Sequence, residues 1–393
     1  MLKILKMSKL RKVCVIVNSR ANYARIKSLL LEIKKSKKLE LQLIVGASAL
    51  LYRFGKVVDI IKKDGFKPVA TMQCLLEGET PEAMVKSTGL AMIELSTIFN
   101  NIKPDIVLTI ADRYETLATA ITARYMNICL AHTQGGESTG SIDESVRHSI
   151  TKLANLHFPS TERSKDFIIK MGEDKNKVWN TGCPSLDLVE KNLNITSNFW
   201  KKYGGTGKFI DLKKEYIVLL QHPVTTEYEE AGTQMKITLE AIKMLNMATI
   251  ILWPNADAGN DQTSKAIREF RENNPNFPLR LLRHLPVDAY HKLIFNSKCL
   301  IGNSSSAIRE GAFLGLPAIN IGNRQINREF GENIINVTHN IEKIKKAILK
   351  QIKHGIYKKS KLYGDGNAAS KIHDILVTAD LNINKSLFYL KNE

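Results

Sequence analysis

The sequence predicts an α/β protein built as two parallel-sheet domains facing each other across a cleft. Three observations lead there. At 393 residues the chain exceeds what one hydrophobic core usually fills. Short apolar runs alternate with helix-patterned stretches along most of its length, the mark of a parallel sheet covered on both faces. The alternation lapses once, between about Lys191 and Lys214, where Asn, Lys and Gly204-Gly-Thr-Gly207 read as a linker or a surface excursion. The expected domains are therefore 1–190 and 191–393, with the final helix packing back on the first.

In the first half the apolar runs are Lys12–Val17, Glu40–Val45, Asp105–Ile110 and Asn127–Ala131. Helical patterns lie between them, around 23–35, 80–100 and 114–126. Thr80-Pro81-Glu82 starts the second of these, with Thr as N-cap and Pro at the first helical position. Ligands of open parallel sheets bind beyond the carboxyl ends of the strands. That rule marks Asn18-Ser-Arg20-Ala-Asn22-Tyr23, Ala111-Asp112-Arg113 and His132-Thr-Gln134. The last cluster opens the polar stretch Leu130–His148, which holds Gly135, Gly136, Gly140, Glu137, Asp143, Glu144 and His148. It reads equally as a site loop or as a surface loop before a helix whose capping box is Ser141-Ile-Asp-Glu144.

The second half resumes with Tyr216–Leu220, Thr249–Trp253, Cys299–Ile301 and Pro317–Ile321. Its strand ends are Gln221-His222-Pro-Val-Thr-Thr226, Pro254-Asn255-Ala-Asp257, Gly302-Asn303-Ser304-Ser305-Ser306 and Gly322-Asn-Arg324. The Gly302–Ser306 segment runs into the helical pattern Ala307–Phe313. Hydroxyls and backbone N–H groups at a helix start cradle phosphate, and they also serve as plain N-caps. Arg309, Glu310 and Arg324 favour the cradle, because guanidinium forks suit phosphate and a carboxylate suits ribose hydroxyls.

A formal charge of +18 first suggests a polyanionic partner. Nucleic acid and membrane surfaces are not the expectation, because the lysines are scattered over helical faces such as Glu32–Lys38 and Glu342–Lys346 and no recognition motif accompanies them. The five cysteines form no C-x-x-C pair and three lie in apolar runs, so buried, reduced thiols are expected. The basic opening Met1–Lys12 precedes an apolar run too short for a signal peptide, and a cytoplasmic protein is expected.

These residues, taken in order, resemble the hydrolysing UDP-N-acetylglucosamine 2-epimerases of sialic and related nonulosonic acid synthesis. The resemblance runs from Asn18-Ser-Arg-Ala-Asn-Tyr through Lys103-Pro-Asp, Gly135-Gly-Glu, Ile142–His148, Gly182-Cys-Pro-Ser, Gln221–Thr226, Gly302-Asn-Ser-Ser305 and Arg324-Gln325 to Gly364-Asp-Gly-Asn-Ala368. It implies two Rossmann-like domains in a GT-B-like arrangement, with UDP on the C-terminal domain and the sugar in the cleft. It implies elimination of UDP followed by addition of water, which yields a free N-acetylmannosamine-type sugar with carbon 2 inverted. No metal or other cofactor is expected, and the partners implied are a nucleotide sugar and further copies of the chain in a dimer or tetramer. By position, Asp112 and Asp143 match catalytic acids, with Arg113 and His148 beside them. Arg20, His222, Ser304, Ser305, Glu310 and Arg324 match residues that hold the nucleotide, and Asn255, Asp257, Gly302 and Asn303 join them as strand-end candidates.

Three departures cluster at the sugar end. The family reads Arg-Ala-Asp-Tyr where this chain has Asn22, and His-Gly-Asp-Arg where it has Ile110-Ala111-Asp112-Arg113. Gln134 stands at the position of a third catalytic acid, and an amide cannot act as a base at neutral pH. Glu137 is the expected substitute acid. Asp112→Asn is expected to abolish product formation while leaving UDP affinity nearly unchanged; product NMR and calorimetric titration with UDP check both halves of that expectation.

Overall fold

The computed structural model describes residues 10–78, 80–189, 193–255, 257–283 and 285–391. The basic opening up to residue 9 and the expected domain boundary at 190/191 lie outside them.

The first sheet is formed by β1 (Arg11–Val17), β2 (Leu39–Gly46), β3 (Ala70–Met72), β4 (Ile106–Ile110), β5 (Cys129–Thr133) and β6 (Leu156–Phe158), in the order β3-β2-β1-β4-β5-β6. All its pairings are parallel. Its strands are apolar on both faces because helices cover both. Val13, Val15 and Val17 enter one core with Ile26, Leu29 and Leu43, while Cys14 and Ile16 enter the other with Leu95, Phe99 and Ile150.

The second sheet has the order β13-β12-β11-β8-β9-β10-β7, from β7 (Thr206–Gly207), β8 (Ile217–Leu220), β9 (Thr249–Leu252), β10 (Leu279–Leu282), β11 (Leu300–Gly302), β12 (Ala318–Ile321) and β13 (Ile334–Val337). Only the β7–β10 pairing is antiparallel. The described part of the segment expected as a linker or surface excursion holds a helix and a strand. Phe199–Tyr203 is a short helix whose Phe199 is buried, and Gly204-Gly205 leads into the edge strand β7. Four further strands, β3, β6, β10 and β13, are not among the apolar runs read from the sequence.

Each sheet reverses its winding at one point, between β1 and β4 in the first and between β8 and β11 in the second. The carboxyl ends flanking these two reversals carry Asn18–Arg20 and Ala111–Arg113, and Gln221–His222 and Asn303–Ser305. Such reversal points are where open parallel sheets leave a crevice for ligands.

The last long helix, Ala368–Thr378, returns from the second sheet to the first. Its Ala369, Ile372 and Leu376 are buried among Val13, Ile26 and Leu30. Arg11 donates to the carbonyls of Leu376 (2.5 Å) and Ala379 (3.1 Å), which fastens the helix end. All five cysteines are buried and unpaired, and among the described residues no helix is long and apolar enough to cross a membrane. Ile372→Ala leaves a cavity in the first core and is expected to cost ~2–5 kcal/mol, read as a lower urea midpoint with an unchanged slope.

Candidate active site

The crevice between the sheets holds a cavity lined from both of them, the concave and largely apolar kind of place where small molecules bind. Leu220, Leu252, Leu285, Pro286, Val287 and Tyr290 give it an apolar wall; Arg20, His222, Asn255, Ser304, Ser305, Glu310 and Arg324 give it a polar one. A flat base suits the first wall, and a charged diphosphate with ribose hydroxyls suits the second.

Each polar group is held from behind. Arg20 donates from Nη1 to the Arg283 carbonyl (2.6 Å) and from Nη2 to the Trp253 carbonyl (3.1 Å), so its guanidinium is fixed on the cavity wall. His222 accepts the Asn255 N–H at Nδ1 (3.1 Å). Burial first, then Arg324, Arg20 and Arg113, push its pKa well below the usual histidine range. The ring is therefore neutral with its proton on Nε2, a donor. Arg25, which the sequence did not mark, reaches across to Ser305 Oγ (2.7 Å).

Asn303 is a staple and not a ligand group. Its side chain accepts the His222 N–H (2.7 Å) and donates to the His222 carbonyl (2.8 Å), joining the ends of β8 and β11. Its own carbonyl accepts from Gln325 (3.1 Å) and Arg324 (3.3 Å). Gly302, at φ 132°, lies so near the Leu220 carbonyl that any Cβ would collide with it. The helix that follows is one turn, Ser305–Ile308, broken at Arg309 before Glu310–Leu314. The expected helix-start cradle thus rests on hydroxyls more than on a helix dipole, and Arg309 touches it only through Ser305 Oγ, at 3.4 Å.

Arg309 goes instead to Glu137, donating to both carboxylate oxygens (2.7 and 2.5 Å). Arg328 pairs with the same carboxylate and approaches Asp112 Oδ2 at 3.7 Å. Arg147 pairs with Asp112 and also donates to the Glu137 carbonyl. None of these five side chains is more than 9% exposed. Glu137, expected as a substitute acid, is locked as an anion between guanidiniums and is a poor proton carrier. Asp143 and Arg147 stand at helical i, i+4 spacing, but Arg147 pairs with Asp112 instead.

Asp112 and Asp143 feel opposite fields. Burial would raise the Asp112 pKa, but Arg147, Arg25 and Arg328 outweigh it and hold the carboxyl far below its usual range. Asp143 is pushed up to about 6, by burial first and then by the Asp112 charge, with Arg324 opposing. Arg324 Nη2 sits 3.8 Å from Asp143 Oδ2, so one guanidinium joins the cavity to this carboxyl. Two adjacent carboxyls, one fixed as an anion and one poised near neutrality, are how acid–base work is divided in a site.

The remaining candidates take other places. Arg113 bridges Glu115 (3.0 Å) and Asp257 (2.6 Å) across the cleft, so Asp257 anchors an arginine. His148 faces Glu144 at 3.6 Å, one helical step away from the Asp112–Arg147 pair. Ser141 caps its helix only by position: Glu144 accepts from Ser138 Oγ (2.9 Å) and the Thr139 N–H (2.8 Å), and the expected capping box does not form. Gln134 is fully buried, at φ 60°, with both amide atoms unpartnered. Ala111 also has φ 60°, a backbone position that Gly fills without strain. His132 fixes it, with Nε2 2.8 Å from the Ala111 carbonyl. Asn22 accepts the Asn18 N–H (3.3 Å), a structural use of its amide.

The family profile described as UDP-N-acetylglucosamine 2-epimerase matches residues 31–377. The chain belongs to the UDP-N-acetylglucosamine 2-epimerase family. It is an enzyme of that family, of the UDP-sugar 2-epimerase class. It is 32% identical over 374 residues to the UDP-N,N'-diacetylbacillosamine 2-epimerase (hydrolyzing) of Legionella pneumophila, covering 95% of this chain and 97% of that protein. It is 34% identical over 327 residues to the GDP/UDP-N,N'-diacetylbacillosamine 2-epimerase (hydrolyzing) of Campylobacter jejuni, covering 83% and 84%. The crystal structure of UDP-GlcNAc 2-epimerase from Neisseria meningitidis bound to UDP-GlcNAc superposes with a TM-score of 0.77 at 19% identity, covering 93% of this chain and 99% of that one. The shared fold is the two-domain, Rossmann-like, GT-B-like architecture.

In this epimerase Gly302→Ala drives a Cβ into the Leu220 carbonyl and displaces Ser304 and Ser305. UDP affinity is expected to fall at least about tenfold while the fold survives, since strain of this kind costs ~1–3 kcal/mol; titration calorimetry beside a thermal melt separates the two.

Proposed function

We propose that this epimerase is hydrolysing: it converts a UDP-linked 2-acetamido sugar, of the 2,4-diacetamido type, to UDP and the free sugar inverted at carbon 2. The observation that carries the reading is Arg324, which lines the cavity and lies 3.8 Å from Asp143, the carboxyl whose pKa burial and the Asp112 charge raise to about 6. Support for the sugar comes from the two relatives above, whose names specify N,N'-diacetylbacillosamine and hydrolysis. The released N-acetylmannosamine-type sugar then supplies nonulosonic acid synthesis.

The Asp143 carboxylate removes the carbon 2 proton. The electron pair forms the carbon 1–carbon 2 double bond as the bond from carbon 1 to the diphosphate oxygen breaks, and UDP leaves. Arg20, Arg324 and the Nε2–H of His222 neutralise the departing diphosphate, and such fixed donors act strongly in a cleft that excludes water. Water then adds across the double bond, its hydroxyl going to carbon 1 and its remaining proton, exchanged with solvent, to carbon 2 from the opposite face, while Asp143 gives up the proton it took to the released UDP or to solvent. Asp112, held ionised, fixes the charge that keeps Asp143 near neutrality and accepts hydrogen bonds from the sugar. Gln134 offers a neutral donor and acceptor at the same end, complementary to acetamido groups.

In heavy water, NMR is expected to show free sugar deuterated at carbon 2 together with UDP. Deuterated, still-linked UDP-sugar would instead establish a non-hydrolysing epimerase, and no turnover of any UDP-sugar would leave only a binding protein. Because Asp143 must be ionised to take a proton, kcat is expected to fall as pH drops through about 6. Asp143→Asn is expected to remove that limb and lower kcat by ~10²–10⁴-fold.

A further inference from the structure

We propose that Glu137 is a positioning residue: by clasping Arg309 and Arg328 it couples closure of the two halves, and the Ser305 hydroxyl of the nucleotide site, to the placement of Asp112. The inference rests on reading the cleft as the nucleotide-sugar site, and it gives Glu137 no proton to move.

The contacts form one continuous path. Ser305 Oγ lies 3.4 Å from Arg309 Nη1. The same arginine grips Glu137 through Nη2. Glu137 pairs with Arg328 Nη1, and Arg328 Nη2 stands 3.7 Å from Asp112. Ser305, Arg309 and Arg328 belong to the second sheet's loops, and Glu137 and Asp112 to the first sheet's. The path therefore crosses the cleft three times.

Glu137 is needed at the middle for an electrostatic reason. Arg25, Arg309 and Arg328 crowd one buried volume, and Arg25 is pulled down to about 9 by burial first and then by the charge of Arg309. Arg147 presses on the same space from the helix Ile142–Leu153. Against these four cations stand Glu137 and Asp112. Without the Glu137 charge, Arg309 and Arg328 repel one another across no intervening anion, and a buried cation without a partner is strongly unfavourable. Relief comes from opening the cleft or from swinging Arg328 fully onto Asp112, and either displaces the Asp112 carboxylate. The backbone supports the clasp. Gly136, at φ 73°, packs so tightly on the Ser164 carbonyl that only glycine fits, which aims Glu137 at the second half.

A packing role and a charge role separate by substitution. Glu137→Gln keeps the shape and removes the charge, while Glu137→Asp keeps the charge and shortens the reach. Small-angle X-ray scattering of the full chain at saturating UDP is expected to show Glu137→Gln more extended than the wild type. Its kcat should fall about 100-fold, the scale of a roughly 1 Å misplacement, with KM for the UDP-sugar changed far less. Glu137→Asp should recover compactness and a measurable part of kcat. Glu137→Gln combined with Arg328→Met removes both charges, so it folds even where the single variant does not, and should stay extended and slow. Wild-type scattering and kcat in Glu137→Gln, or poor recovery by Asp alongside full recovery by Gln, would overturn the proposal. So would wild-type kcat in the double variant. Failure of the wild type itself to turn over any UDP-sugar, with UDP-induced compaction intact, would strike at the proposed reaction and leave the clasp standing.

Discussion

The interaction on which the site depends is the buried ion lattice of Asp112, Glu137, Arg147, Arg309 and Arg328. Two carboxylates from one half and two guanidiniums from the other meet where water is excluded, with Arg147 bracing them from behind. Burying charges is costly, and such lattices rarely add net stability over an apolar packing of the same volume. What this one supplies is geometry: it sets one relative position of the two sheets, and in that position Arg324 spans the nucleotide cavity and Asp143. Part of the unusual positive charge of the chain gathers here, with seven arginines (20, 25, 113, 147, 309, 324 and 328) at the cleft.

Much of this was legible in the sequence, for identifiable reasons. Runs such as Val13–Val17 and Ile106–Ile110 are long and apolar on both faces, so the parallel sheet and its carboxyl ends follow from pattern alone. The rule that ligands sit beyond those ends then marks Arg20, Asp112, His222 and Ser304–Ser306, all of which flank the cleft. The strands Ala70–Met72, with polar Thr71, and Ile334–Val337, with exposed Asn336, lack an unbroken apolar run and were not read. The second strand order, and with it the reversal beside Asn303, was not available from spacing.

The partners of the marked residues were hidden for a different reason. Glu137 and Arg309 are 172 positions apart, and nothing local distinguishes an arginine aimed at phosphate from one aimed at a carboxylate across a cleft. Residue type therefore suggested Arg309 for the nucleotide and Glu137 for proton transfer, whereas the geometry joins them to each other. Asp143 and Arg147 suited each other at helical spacing, yet the better-buried Asp112 takes the arginine. Competition among several partners of one charge is settled by the three-dimensional packing, which local spacing does not encode.

That competition explains why the departures at the sugar end form a consistent set. With Gln134 in place of an acid, the pocket holds one carboxylate fewer beside Asp112 and Asp143. A third negative charge there would raise Asp143 further and draw Arg147 or Arg328 away from their present partners. The amide leaves Asp112 fully committed to arginine and leaves Asp143 as the carboxyl near neutrality. Ala111 and Gln134, both at φ 60° on adjacent strand ends, stiffen the same floor: a residue bearing a Cβ in that region has fewer alternatives to relax into than glycine does. The sugar end is thus less versatile in proton transfer and more rigid in shape. In charge terms, Gln134 adds a buried neutral amide where an acid would add a third negative charge.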